Sequence, residues 1–143
     1  MKHKLINEMK LVFLSDSRNE SFARSAVTAF VSQLDPHTGE LADIRTAVSE
    51  AVTNCIIHGY RGTVGRVTVD TKLYADRSVR IRVSDKGRGI EDIEKAKEPL
   101  FTTDDSGERG GMGFAIMETF SDRMTVASRL GHGTTVTMYK RLQ

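Results

Sequence analysis

The chain has 143 residues, 38% of them hydrophobic and 28% charged, with a formal net charge of +2 and one cysteine. That suffices for one domain with a sizeable core, is too apolar for disorder, and is too nearly neutral for a nucleic-acid surface on charge alone. No apolar run nears the ~20 residues of a membrane span, the basic start MKHKLINEMKLVFL lacks a signal peptide's apolar region, and Cys55 has no intrachain disulfide partner, so a cytoplasmic setting is expected.

In chain order, a short apolar run predicts a strand over about 9–14. Ser17 and Glu20 have the spacing of a capping box, and Phe22, Ala26, Ala29 and Phe30 follow at helical intervals. Asp35-Pro36 and Gly39 mark a turn. A longer helix is expected from about Thr38 to His58, with the stripe Leu41, Ile44, Val48, Ala51, Val52 and Cys55 and with Gly59 as its C-terminal cap. GRVTVDTKLY and RSVRIRVSD alternate in period two around ADR and read as a hairpin. Glycine-rich and charged sequence then runs to Gly113, followed by a short helix at FAIMETF and a second hairpin, RMTVASR and GTTVTMYK, joined through LGHG. With no internal repeat or linker, the expectation is one domain over residues 1–143. Its class is α+β, a two-layer sandwich with helices on one face of a mainly antiparallel sheet.

Three segments carry chemistry. Glu50, Asn54 and His58 stand four residues apart, one above the next on the long helix. At ~100° per residue, Glu50 and Asn54 lie more than ~100° from the apolar stripe, which fits a solvated face. Against that, Asn is a poor mid-helix residue, and Ala51, Ile56 and Ile57 leave little polar surface around the pair. His58 in the last turn is explained by the helix dipole. SDKGRGI (84–90) places Asp-x-Gly-x-Gly after a strand, which taken singly is a tight turn. ERGGMGF (108–114) puts glycines before a helix, where backbone N–H groups can approach an anion; neither a Walker A loop nor a Rossmann spacing is present.

Taken singly these segments decide nothing; their order does. Glu-x3-Asn on a helix, Asp-x-Gly-x-Gly after a strand, a long loop, Gly-x-Gly before a helix and Gly-Thr-Thr in a late strand resemble the GHKL ATP-binding superfamily, whose fold is the Bergerat type, over nearly the whole chain. At finer grain, ESFARSAVTAFVSQLDP, SEAVTNCIIHGY, EPLFTT and ERGGMGFAIMETFSD are similar to the sporulation anti-sigma-F family of small serine kinases. Departures are the short connection HGYRGTVGRV and Gly110 where serine is more usual.

The resemblance implies roles. Asn54 corresponds to the Mg²⁺ ligand, and Glu50 to the general base that takes a proton from the attacking hydroxyl. Asp85 corresponds to the acceptor for the exocyclic amine of adenine, with Thr134 (or Thr135) as the hydroxyl behind it and Gly87 and Gly89 leaving room for base and ribose. Gly111 and Gly113 would offer N–H groups to the phosphates and Arg109 a charge-assisted donor to the γ-phosphate, while Phe101, Thr102 and Thr103 belong to a lid. It further implies ATP and Mg²⁺ as ligands, and a homodimer that binds and inhibits a sporulation sigma factor and phosphorylates an anti-anti-sigma protein on serine. No direct contact with nucleic acid or membrane is implied. Arg24 is a candidate sigma contact or simply a solvated arginine. Alternatives are a general-stress-type anti-sigma kinase, a histidine-kinase catalytic domain, a gyrase-type ATPase, or a module using ATP only as a structural ligand.

Overall fold

Residues that alternate in period two bury one side of a sheet, and here the inward set is Val67, Val69, Thr71 and Leu73 on one strand and Val79, Ile81, Val83 and Asp85 on the next. The computed structural model describes residues 4–90 and 113–143. The strands are β1 (Leu5–Leu14), β2 (Arg66–Tyr74), β3 (Ser78–Asp85), β4 (Arg123–Arg129) and β5 (Gly133–Arg141). They form one antiparallel sheet in the order β1-β2-β3-β5-β4. The helices are α1 (Arg18–Val31), α2 (Thr38–Asn54) and α3 (Gly113–Thr119). Ala23, Val27 and Val31 of α1, Ile44, Val48 and Val52 of α2 and Met117 of α3 join the inward strand residues in a single core. The expected two-layer α+β architecture is therefore present, and among the described residues no helix is long and apolar enough to cross a membrane.

Three local expectations are corrected. First, β1 begins at Leu5 rather than near residue 9, because pairing with β2 continues to Leu5↔Tyr74 along a stretch where Leu5 and Ile6 are exposed and Asn7-Glu8 interrupt the apolar run. Second, the capping box does not form. Ser17 already has helical dihedrals (φ −57, ψ −26) and makes no side-chain cap bond. The Asp16 carboxylate takes its place, accepting from the Arg18 N–H at 2.9 Å and the Arg18 guanidinium at 2.8 Å. Third, the buried stripe of α1 is Ala23, Val27 and Val31, while Phe22 is 53% exposed. Two rows with spacing four run side by side here, and the slimmer Ala/Val row faces the core. Phe22 instead meets Phe13 of β1 edge-on, at 6.5 Å between ring centres.

The stripe of α2 is as expected except that Leu41 is only half-buried. Its end differs: after Asn54 the helix widens into a π-turn over Cys55–Gly59, closed by the Tyr60 N–H donating to the Cys55 carbonyl at 3.0 Å. At the other end of the sheet, the β2–β3 turn holds Arg77 at φ +70. Its guanidinium donates to the carbonyls of Leu34 (2.6 Å), Asp35 (3.4 Å) and Gln143 (3.2 Å).

Candidate functional site

The C-terminal end of α2 gathers most of the sequence-predicted site. Glu50 and Asn54 are half-buried on its side away from the core stripe, rather than open to water. The Asn54 amide nitrogen is buried and has no hydrogen-bond partner. Leaving such a donor unpaired costs about 1–3 kcal/mol, so a bound water or a ligand oxygen is expected to accept from it. Gly113, the first residue of α3, explains how that amide is covered: a Cβ there would stand 3.0 Å from both Nδ2 and Oδ1 of Asn54. A Cβ there would displace the amide by a few tenths of an ångström, so glycine lets α3 approach α2 without moving Asn54.

Asp85 is the last inward residue of β3 and is only 7% exposed. The Gly87 N–H donates to its Oδ1 at 2.8 Å. The Cys55 thiol and the Thr134 backbone N–H also donate to this carboxylate. Burial outweighs these donors and holds the carboxyl above its ordinary range. The Cys55 thiol is pushed well up, by burial first and the Asp85 charge second, so it remains a donor. The next residues form a tight turn wedged between α2 and the β4–β5 hairpin. Arg88 N–H donates to the Gly59 carbonyl (2.8 Å), Gly131 N–H to the Arg88 carbonyl (2.6 Å), and Ile90 N–H to Ser128 Oγ (2.8 Å).

This packing gives three glycines and a threonine contacts that the sequence alone does not show. A Cβ on Gly87 would lie 2.1 Å from the Gly59 carbonyl oxygen, and one on Gly89 (φ +77) 2.2 Å from that of Arg129. In both, the position a Cβ would take faces protein backbone, so glycine is required there by the packing of the turn itself. Gly59 lies outside the left-handed region and is not a cap. A Cβ there would meet the Asp85 carboxyl carbon at 2.9 Å, so it lets helix end and carboxylate touch. The Thr134 hydroxyl pairs with Ser128 Oγ at 2.7 Å and Thr135 Oγ1 donates to Ser84 Oγ at 3.2 Å; the Thr134 backbone N–H is what reaches Asp85. Phe101, Thr102, Thr103, Arg109 and Gly111 lie outside the described residues.

Two residues escaped the sequence reading. Cys55 is one, since a cysteine in an apolar stripe signals only core. Tyr60 is the other: it is buried, its hydroxyl accepts from the Lys86 N–H at 2.9 Å and donates to the Arg66 carbonyl. An aromatic directly after the helix-ending glycine was the available cue.

Among the described residues no three His, Cys, Asp or Glu cluster as a metal site. The arrangement thus offers one buried carboxylate, one unpaired amide and a second carboxylate a turn away, all around one helix end. Such an array can hold a polar ligand and move a proton. Residues 13–140 match the histidine kinase-like ATPase domain family. An anti-sigma F factor of Thermoanaerobacter sp. (strain X514) is 57% identical over 134 residues, covering 94% of this chain and 93% of that protein. The chain belongs to the anti-sigma F factors of the histidine kinase-like ATPase family.

A second anti-sigma F factor, from Caldanaerobacter subterraneus subsp. tengcongensis, is 56% identical and covers 94% of this chain and 93% of its own. Among solved structures, the RsbU and RsbW domains of Rv1364c from Mycobacterium tuberculosis share the fold of this anti-sigma F chain. The TM-score is 0.70 at 23% identity, over 96% of this chain; the chain spans only 32% of that larger structure.

Proposed function

We propose that this anti-sigma F factor is an ATP-dependent protein serine kinase that holds a sporulation sigma factor inactive and phosphorylates an anti-anti-sigma protein. The observation that carries the reading is the meeting at one helix end of the buried Asp85 carboxylate, Asn54 and, one turn earlier, the half-buried Glu50. Membership of the histidine kinase-like ATPase family supports a nucleotide as the ligand these groups would meet.

The residues fit a bound adenine nucleotide. Asp85 is a desolvated acceptor suited to the exocyclic amine of adenine, where guanine offers an oxygen instead. Asn54 would hold Mg²⁺ through its amide oxygen; with no acidic cluster among the described residues, one neutral oxygen ligand leaves the remaining positions to phosphate and water, as Mg²⁺ prefers. That ion supplies charge compensation on the phosphates. Glu50 takes the proton from the attacking serine hydroxyl while its oxygen bonds to the γ-phosphorus and the bond to ADP breaks. Gly111 and Gly113 would donate N–H groups to the phosphates, and Arg109 would pair with the γ-phosphate. Thr102 and Thr103 would belong to a lid over the nucleotide.

The partners follow from the family: a sigma factor bound by a homodimer, tighter with ATP than with ADP, and a serine-bearing anti-anti-sigma protein, all in the cytoplasm. The likeness to two anti-sigma F factors supports a sigma-factor partner. We further infer that residues 1–143 act as one kinase domain. A module that uses ATP only as a structural ligand has no need of the carboxylate at Glu50.

The test is incubation with γ-labelled ATP, Mg²⁺ and a candidate anti-anti-sigma protein, tracing the label. Label on serine is expected. Label on histidine, label released only as free phosphate, or ATP left intact while sigma factor is bound would each replace the reading with a different one.

A further inference from the structure

The register of β2 and β3 ends at Val67↔Asp85, so the next antiparallel position would set Arg66 opposite Lys86. The backbone groups there do not meet directly. The Tyr60 hydroxyl stands between them, accepting from the Lys86 N–H (2.9 Å) and donating to the Arg66 carbonyl. One side-chain oxygen thus replaces a ladder bond at the residue following Asp85, where the chain leaves the sheet for Gly87.

Tyr60 is itself held from several sides. Its N–H is the closing donor of the π-turn, and its carbonyl accepts from the Thr63 N–H at 3.0 Å. Its ring lies against Gly65, where a Cβ would come within 2.1 Å of Cε1. Gly65 is pinned in turn, its N–H donating to Ser15 Oγ at 3.0 Å and its carbonyl accepting from the Ser15 N–H at 2.8 Å. The hydroxyl is therefore fixed relative to β1, β2 and the end of α2 before any ligand arrives.

We propose that Tyr60 is a positioning residue for nucleotide selectivity: its hydroxyl sets the path of Lys86 and Gly87, and through the Gly87 N–H the orientation of the Asp85 carboxylate toward the adenine amine. This rests on the adenine-binding role of Asp85 in the reading above. A carboxylate that must accept from one group on a ligand works only when its lone pairs are aimed. Of the three donors that aim it, the Gly87 N–H belongs to the turn that Tyr60 anchors, the others being the Cys55 thiol and the Thr134 N–H. Tyr60 touches neither phosphate nor acceptor serine in this scheme, so chemistry at saturating ATP is unaffected.

The experiment is a double-mutant cycle of Tyr60→Phe and Asp85→Asn, with ATP and GTP affinities by calorimetry, turnover at saturating ATP, and a melting curve for each protein. Phenylalanine keeps the ring on Gly65 and removes only the hydroxyl. Tyr60→Phe is expected to weaken ATP about tenfold, the size of one lost hydrogen bond, to leave GTP affinity and saturated turnover unchanged, and to add nothing in the Asp85→Asn background. An equal loss for ATP and GTP, no loss, or an undiminished loss on top of Asp85→Asn overturns the positioning role. Asp85→Asn binding ATP as well as the parent would instead overturn the adenine reading, and the role of Tyr60 in selectivity with it. Should Tyr60→Phe not fold, amide exchange in the unmodified, nucleotide-free protein decides: a protected Lys86 N–H supports the anchor, and an unprotected one overturns it.

Discussion

The two ends of the β2–β3 pair are built to opposite specifications. At the turn end, Arg77 sits at φ +70, a conformation that costs a non-glycine residue roughly 1–2 kcal/mol. Its guanidinium nevertheless satisfies three carbonyls, its own carbonyl accepts from Leu142, and the Gln143 N–H closes onto the Glu40 carboxylate at 2.8 Å. Polar groups there are tied to backbone. At the Asp85 end a carboxylate is buried against its preference, an amide nitrogen has no protein partner, and Gly59, Gly87, Gly89 and Gly113 stand at close approaches between segments. One end stabilises the fold; the other keeps a desolvated carboxylate and an unpaired amide N–H in place for something else to meet, as ligand sites do at some expense of stability.

The largest expected effect breaks the comparison at the Asp85 end. Removing a general base costs ~10²–10⁴-fold in rate while leaving ground-state binding intact. Glu50→Gln should therefore bind ATP and sigma factor normally and transfer almost no phosphate. Asn54→Ala should fail to bind Mg-ATP at all. ATP affinity and serine phosphorylation measured on both variants check this; loss of ATP by Glu50→Gln, or full activity in it, removes the base assignment.

Next in size is a change at the opposite end. Arg77→Ala keeps the strained φ and deletes three bonds from a charged donor, worth about 2 kcal/mol together once water competes. For a chain of this length that lowers the melting temperature by about 5–10 °C. ATP affinity should be unchanged, because no nucleotide group depends on that turn. If ATP affinity falls in parallel with stability, the two ends are coupled and the contrast drawn here is wrong.

Asp85→Asn is smaller in stability and specific in binding. It should weaken ATP about tenfold with GTP little altered, because the amide can place a donor where adenine also donates. The pH dependence has a definite sign. The folded carboxyl lies above its ordinary value, so the folded state holds the proton more tightly than the unfolded chain does. Its contribution to stability is full below the ordinary carboxylate range and is lost as pH rises through the raised folded value. Denaturation of nucleotide-free protein from pH 4 to 7 should show the parent losing ground to Asp85→Asn on the way up.

The sequence made some of this legible and not the rest, for physical reasons. The two hairpins and the α2 stripe were readable because each repeats a local period against one buried layer. The α1 stripe was misphased because its two candidate rows differ only in bulk. Glu50, Asn54 and Asp85 stand out by their order along the chain, and the structure brings Asn54, Asp85 and Gly113 to one helix end. The reasons for Gly59, Gly87 and Gly89 were out of reach, since each is set by an atom of another segment. Tyr60 was hidden for the same cause: its decisive partner, Lys86, is 26 residues away.

The smallest effect lies at the start of α1 and tests a sequence rule directly. Ser17 has the capping-box position but makes no cap bond, so Ser17→Ala should leave the melting temperature unchanged. Asp16 does the capping, and the Arg18 side chain first, then the Arg18 N–H, lower its carboxyl to about 2. Here the sign is opposite to that at Asp85. The unfolded chain holds the proton more tightly, so the contribution is present above the ordinary carboxylate value and fades as pH falls toward 2. Asp16→Asn keeps an acceptor for the Arg18 N–H and removes the charge, because Asn caps a helix about as well as Asp. Parent and Asp16→Asn should therefore differ slightly at neutral pH and converge in acid, whereas Asp16→Ala stays less stable than Asp16→Asn throughout. The carboxylate is exposed and paired with an exposed arginine, so salt should shrink the neutral-pH gap as well. A stability loss in Ser17→Ala equal to that in Asp16→Ala would restore the capping box and refute the assignment to Asp16.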